Sequence, residues 1–123
     1  MAKIGSDIRK NDQYQNNFEV YQNLLEHLKS VHKKVEKGGG EKYLQKIKAQ
    51  GKFPVRERIK NLIDKGSKFL EIGKLTAFGM YEEYGGAPSS GTIFGIGQIH
   101  GRDMVIVVND PTVKAGAWFP ITC

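Results

Sequence analysis

The run Gly91–Gly116, GTIFGIGQIHGRDMVIVVNDPTVKAG, decides how the rest of the chain is read. Thr92, Phe94, Ile96 and Gln98 alternate with Ile93, Gly95, Gly97 and Ile99, a period of two that predicts a strand over 92–99. His100-Gly101-Arg102-Asp103 predicts a tight turn, because Gly101 accepts a positive φ without steric cost. Met104–Val108 is a continuous valine-rich apolar run, which suits a strand covered on both faces. Asn109-Asp110-Pro111 ends it, since proline cannot donate to a ladder. The expectation is an antiparallel pair, 92–99 with 104–109, closed by a polar, glycine-containing loop. Ligands often sit at such loops in open sheets.

Upstream the period changes. Tyr14, Phe18, Tyr21, Leu25, Leu28, His32 and Val35 step by three and four, with Leu24 and Val31 widening the stripe, so a long amphipathic helix is expected over 13–37. Asp12 is its expected N-cap, Lys33, Lys34 and Lys37 complement the C-terminal dipole, and Gly38-Gly39-Gly40 stops it. A second helix over 41–50 should bury Tyr43, Leu44 and Ile47. Pro54 suits the start of a third, over 55–64, with Val55, Ile59, Leu62 and Ile63 as its apolar face. Arg56 and Arg58 flank Glu57 in its first turn, where two arginines could clamp a phosphate or carboxylate, although structural ion pairing suits them better. Phe69–Ile72 reads as a short strand, and 78–90, with Gly85-Gly86 and Pro88, as a mobile loop. The fold class is α+β, with residues 1–75 a helical extension and 76–123 the start of a second unit.

The length of 123 residues suits one small domain, and the net charge is +6. The charge is uneven: residues 1–75 hold 17 Lys and Arg against 9 Asp and Glu, whereas 76–123 hold 2 against 4. Cys123 alone excludes an intramolecular disulfide and suits a reducing compartment. Met1–Asp7 lacks the apolar core of a secretory signal and carries an acidic residue early, unlike a transit peptide. No stretch is long and apolar enough to span a membrane, so no membrane partner is expected. GxxxxGK[ST], GxSxG, HExxH and CxxC are absent, and His27 and His32 lack companions at metal spacing, so no metal site is expected. The basic first part leaves a nucleic-acid-binding domain open, but basic faces interleaved with aromatics are missing, so nucleic acid is not expected as a partner. The stripe on the first helix leaves an assembly element that docks a partner subunit open. Trp118, Phe119 and Ile121 near the C-terminus are expected to need cover, from the stripe of Phe18, Leu25 and Leu28 or from a second copy.

Several pieces in order carry a resemblance: Gly38-Gly39-Gly40-Glu41-Lys42, Gly51-Lys52, Arg56-Glu57-Arg58-Ile59 and Leu62–Ser67, then Gly95-Ile96-Gly97, His100-Gly101-Arg102, Asn109-Asp110, Thr112-Val113-Lys114 and Gly116-Ala117. From Gly38 onward the chain resembles the carboxyltransferase (beta) subunits of biotin-dependent acyl-CoA carboxylases. Trp118-Phe119-Pro120-Ile121-Thr122 is similar to the aromatic-aromatic-Pro-X-Thr of the 3-methylcrotonyl-CoA branch. Two positions depart from the family pattern. Ala115 stands where the family has the first glycine of a pair, and Phe53-Pro54-Val55 replaces a leucine-rich stretch.

The resemblance implies a crotonase-like fold whose first strand–strand turn is the 92–109 hairpin, in a chain that is the N-terminal piece of a longer ligase subunit. It implies transfer of a carboxyl group from carboxybiotin to an acyl-CoA, 3-methylcrotonyl-CoA by preference, as in leucine degradation. Biotin would be carried by the biotin carboxylase/biotin-carrier (alpha) subunit, coenzyme A thioester would be the substrate, and other beta subunits would complete a homo-oligomer. Charge developing on the thioester oxygen needs backbone donors, each worth about 2.7–4 kcal/mol. In the family these donors lie in later glycine-rich segments, so no catalytic residue is assigned here and the isolated chain is expected to be inactive. The resemblance places Asp110, Thr112, Val113, Lys114, Gly116 and Ala117 on the CoA-binding side, with Lys114 facing either a CoA phosphate or its own loop. The implied compartment is the bacterial cytoplasm, or the mitochondrial matrix in a eukaryote.

Overall fold

The computed structural model describes Gly5 and residues 7–123. The reading of Met1–Asp7 as neither signal nor transit peptide therefore falls mostly outside the described residues. Three helices precede a three-stranded antiparallel sheet: α1 Asp12–Glu36, α2 Glu41–Ala49, α3 Val55–Leu62, β1 Leu70–Ile72, β2 Thr92–Ile99 and β3 Arg102–Asn109. The strand order is β1-β2-β3. The chain divides into two compact units after Val31.

The first unit carries most of α1. Asn11, not Asp12, caps it: the Tyr14 N–H donates to Asn11 Oδ1 at 3.0 Å. Asp12 is instead the first helical residue, where its charge still meets the positive helix end. Tyr14 and Phe18 stack one turn apart, with centroids 6.3 Å apart. Of the expected stripe, Val31 and Val35 are buried, whereas Phe18, Tyr21, Leu24 and Leu28 are exposed.

The second unit is built on the hairpin. Ile99 pairs with Arg102, so the turn is the two residues His100 and Gly101, with φ of 52° and 74°. Positive φ at both positions is the turn whose twist matches the strands. Asp64, far away in sequence, fixes this turn. Its carboxylate accepts the N–H groups of His100 at 2.8 Å and Gly101 at 2.7 Å, while its own N–H donates to the Gln98 carbonyl.

One sheet face packs on α3. Val55, Ile59, Ile93 and Ile106 form the buried core, with Ile63, Phe69, Ile99 and Val108 around it. The glycines of β2 make this approach possible. A Cβ at Gly95 would meet the Leu70 carbonyl and the Phe69 ring, and one at Gly97 would lie 2.7 Å from Ile63 Cγ2. Leu62, expected on the buried face of α3, is exposed, as is Tyr43 of α2. In α3 the buried residues are Val55 and Ile59, and in α2 the buried residue is Ile47.

The expectation that Met104–Val108 is covered on both faces is not met in this chain. Val105 and Val107 are 65% and 60% exposed. Helical cover lies on the Ile93–Ile106 side alone, and the opposite face carries Leu70, Ile72, Phe94, Ile96, Val105 and Val107 without cover.

Residues 78–91 fold into turns that form a second core. Ala77, Ala87, Val113 and Phe119 are buried together, with Tyr81 against them. Phe119 is 2% exposed and Trp118 57% exposed. The C-terminal aromatic pair is thus split: the chain's own turns cover Phe119, and Trp118 faces outward, contrary to the expectation that both need an outside surface. The Pro-X-Thr after them has a structural reason. Thr122 Oγ1 accepts the Phe119 N–H at 3.0 Å and donates to the Ser90 carbonyl at 2.7 Å.

Candidate substrate-binding loop

The loop that leaves β3 begins with a buried Asx turn. Asp110 Oδ1 accepts both the Thr112 N–H at 2.9 Å and the Thr112 hydroxyl at 2.6 Å. That hydroxyl in turn accepts the Gly39 N–H at 2.9 Å. The Gly38-Gly39-Gly40 run that stops α1 is thereby pressed onto the loop. A Cβ on Gly38 would collide with the Asp110 carboxylate and Thr112 hydroxyl, and one on Gly39 with the Thr112 carbonyl. The triple glycine is a close-approach device as well as a helix stop.

The six residues named from sequence fall into two groups. Asp110, Thr112 and Val113 are buried and turned inward, so they shape the loop. Lys114, Gly116 and Ala117 lie on its outer side, Gly116 half-buried and the other two exposed. Lys114, Ala115 and Gly116 have φ of 45°, 54° and 84°. Ala115 therefore occupies a left-handed conformation that glycine adopts more easily. Lys114 Nζ lies 4.9 Å from the centroid of Tyr84 and 4.5 Å from that of Phe119. This holds the ammonium over aromatic faces instead of extending it into water. The Tyr81 ring lies 4.7 Å from that of Phe119, tilted by 40°.

Two charged groups buttress the region behind the loop. Arg56 makes a bidentate pair with Glu71 at 2.5 and 2.8 Å. Lys74 bonds Glu36 at 2.5 Å and lies 3.8 Å from Glu71. The Lys74 hydrogen bond lowers the Glu36 pKa, and the Gly101 and His100 amides lower that of Asp64. Arg56 is thus structural, as its sequence context suggested. Arg58, two residues on, lines an open cleft with Ile47, Phe53 and Pro111. Sequence reasoning missed this cleft; its signal is an aromatic between a helix-ending glycine and a helix-opening proline. Among the described residues no His/Cys/Asp/Glu group could hold a metal ion, and no helix is long and apolar enough to cross a membrane.

A helical segment packed on one face of an antiparallel meander, with a glycine-clamped loop after the last strand, is an α+β arrangement. Residues 46–123 match the carboxyl transferase domain, and the chain belongs to that family. It is 48% identical over 120 residues to the mitochondrial methylcrotonoyl-CoA carboxylase beta chain of Dictyostelium discoideum, covering 97% of this chain and 20% of the relative. The transcarboxylase 12S structure with hydrolysed methylmalonyl-coenzyme A bound superposes with a TM-score of 0.64 at 37% identity, covering 76% of this chain and 18% of that one. The geranyl-CoA carboxylase beta subunit of P. aeruginosa shares the fold, with a TM-score of 0.78 at 23% identity over 94% of this chain and 21% of its own. The chain spans about a fifth of the length of the curated relatives it matches.

Proposed function

We propose that this chain is part of a carboxyltransferase (beta) subunit that moves a carboxyl group from carboxybiotin to 3-methylcrotonyl-CoA. The carrying observation is the carboxyl transferase match over 46–123 together with 48% identity to a methylcrotonoyl-CoA carboxylase beta chain. In this reading the loop 110–117 lies on the CoA side. Asp110, Thr112 and Val113 set its shape, Lys114 braces it over Tyr84 and Phe119, and Gly116 and Ala117 face the CoA thioester. Carboxybiotin arrives on the carrier of a biotin carboxylase (alpha) subunit, and other beta subunits complete the assembly. The compartment is the mitochondrial matrix in a eukaryote, as the mitochondrial Dictyostelium relative supports, and the cytoplasm in a bacterium.

The clefts described here are open to solvent, whereas an oxyanion must be met by preorganised donors in a water-excluded site. The residues present do not fit an enclosed carboxybiotin–thioester pair, so no step of the transfer is assigned to them. The 123 residues supply substrate-binding surface, and turnover requires the remaining four-fifths of a relative's length.

The test is a chimera. This chain replaces the matching residues of the Dictyostelium beta chain, which is co-assembled with its alpha subunit. Carboxylation of 3-methylcrotonyl-CoA should be retained. A chimera that assembles fully and carboxylates another acyl-CoA instead would reject the substrate assignment. The same assay on the isolated chain should give no turnover.

A further inference from the structure

We propose that α1 pairs antiparallel with the α1 of a second copy of this chain, along the seam Phe18, Tyr21, Leu25 and Leu28; the inference does not depend on the acyl-CoA reading. From Tyr14 to Val35 the stripe steps by four and three without a break: Tyr14, Phe18, Tyr21, Leu25, Leu28, His32, Val35. That is a strict seven-residue repeat. A straight helix drifts about 20° per heptad away from such a repeat, so a stripe that keeps it is matched to a helix that supercoils with it. Among its large apolar residues, Phe18, Tyr21, Leu24 and Leu28 are 45%, 59%, 62% and 41% exposed. The first unit, Met1–Val31, holds no helix or strand besides α1 among its described residues, so it has no cover of its own for them. The same stretch is rich in weak helix formers: Asn16, Asn17, Phe18, Val20, Tyr21 and Asn23. A helix of such residues draws its stability from packing of its apolar face.

The residues beside the seam choose the occupant. Gln15, Asn17, Gln22 and Leu24 flank it, and none is charged, so a second copy meets no repulsion there. The charge along the helix sets the direction. Residues 12–28 carry Asp12, Glu19 and Glu26 and no Lys or Arg, whereas 29–37 carry Lys29, Lys33, Lys34 and Lys37 against Glu36. A parallel pair would set acid beside acid. An antiparallel pair sets the acidic half of each helix against the basic end of the other and opposes the two macrodipoles. The heptad spacing then fixes the register. Phe18 faces Leu28 of the second copy, Tyr21 faces its Leu25, and the reverse contacts follow, an isologous interface that closes on two copies. Leu24 meets its own counterpart near the axis. A lipid surface would call for Lys and Arg on the polar face, and an acidic or nucleic-acid partner for cations along the stripe. Residues 12–28 supply neither.

The experiment mixes two variants of the whole chain, Phe18→Cys and Leu28→Cys, each also carrying Cys123→Ser, in equal amounts under mild oxidation. By mass spectrometry the mixed 18–28 disulfide should dominate over the 18–18 and 28–28 products, and dilution before oxidation should suppress it. Tyr21→Glu with Leu24→Glu, added to both chains, should abolish it by gathering like charges at the axis. Both positions are exposed and lie outside the second unit, so the hairpin should stay folded, which the amide spectrum checks. Products in statistical proportion, or a dominant 18–18 disulfide, would overturn the proposal. So would a dimer in sedimentation that yields no 18–28 link, because the association then runs through another surface. In the chimeric beta subunit assembled with its alpha subunit, the same two variants should link two beta subunits. No link there also overturns the proposal: introduced thiols shielded from alkylation would mean that the rest of the assembly covers the stripe, and freely alkylated ones that nothing does.

Discussion

Ala115 carries a conformational load that can be measured. Its φ of 54° is left-handed, which costs an L-residue roughly 1–2 kcal/mol. Ala115→Gly should relieve this, less the greater freedom glycine has when unfolded, for a net gain of about 0.5–1 kcal/mol in chemical denaturation. The departure from the family's glycine pair is thus a stability cost. Asp64 gives a pH signature. Its folded pKa is lowered, chiefly by the Gly101 amide and then by that of His100. The stabilisation it brings is complete above the ordinary aspartate value of about 3.9 and disappears as pH falls through the lowered folded value. Asp64→Asn should remove that acid-side loss while weakening the turn at neutral pH, because an amide oxygen and an NH₂ cannot both accept. Thermal melts from pH 2 to 7 check both. A wild-type and variant pair with parallel acid profiles would rule out the role.

At the scale of elements, pattern was enough to place the three helices and the hairpin to within a residue or two, since the helices and β2 each carry one period and β3 is an apolar run bounded by turn residues. It could not say which side of β3 is covered. A continuous apolar run reads the same whether one face or both meet a layer. Nor could it find partners across long separations. Asp64 reaching the His100–Gly101 turn and Thr112 reaching Gly39 leave no spacing pattern. For the same reason the candidate loop was located but its inward and outward residues were not separated. Gly95 and Gly97 show how such contacts act on an element. A methyl at Gly95 meets a carbonyl of β1, which cannot move without breaking the ladder, whereas one at Gly97 meets only side-chain atoms, Ile63 Cγ2 and the end of Ile106 nearest. Overpacking costs about 1–3 kcal/mol, so Gly95→Ala should fall at the upper end and Gly97→Ala at the lower. Urea denaturation of the two variants tests the order, and equal losses would mean that β1 yields as easily as a side chain.

For the molecule as a whole, the unresolved physical demand is the bare sheet face. Leu70, Ile72, Phe94, Ile96, Val105 and Val107 stand together on one side of three strands. Fully burying a side chain of this kind is worth about 1.5–3 kcal/mol, so six in one patch favour strongly any surface that can cover them. In a solution of this chain alone, the surface available is a second copy. β3 lies at the sheet edge with its outer ladder groups free to pair. The expected outcome is reversible self-association through this face and edge. Trp118, which is exposed and not among these six, should stay open to a soluble quencher in the associated state. Val105→Thr with Val107→Thr keeps the strand preference of both positions and removes two central apolar contacts, so it should shift the population toward monomer without unfolding the hairpin. Sedimentation velocity over a hundredfold concentration range measures this. If the unmodified chain is monomeric throughout, the sheet face does not drive association; if the double variant associates just as well while Trp118→Ser does not, the contact runs through the C-terminal end and the sheet face is not its site.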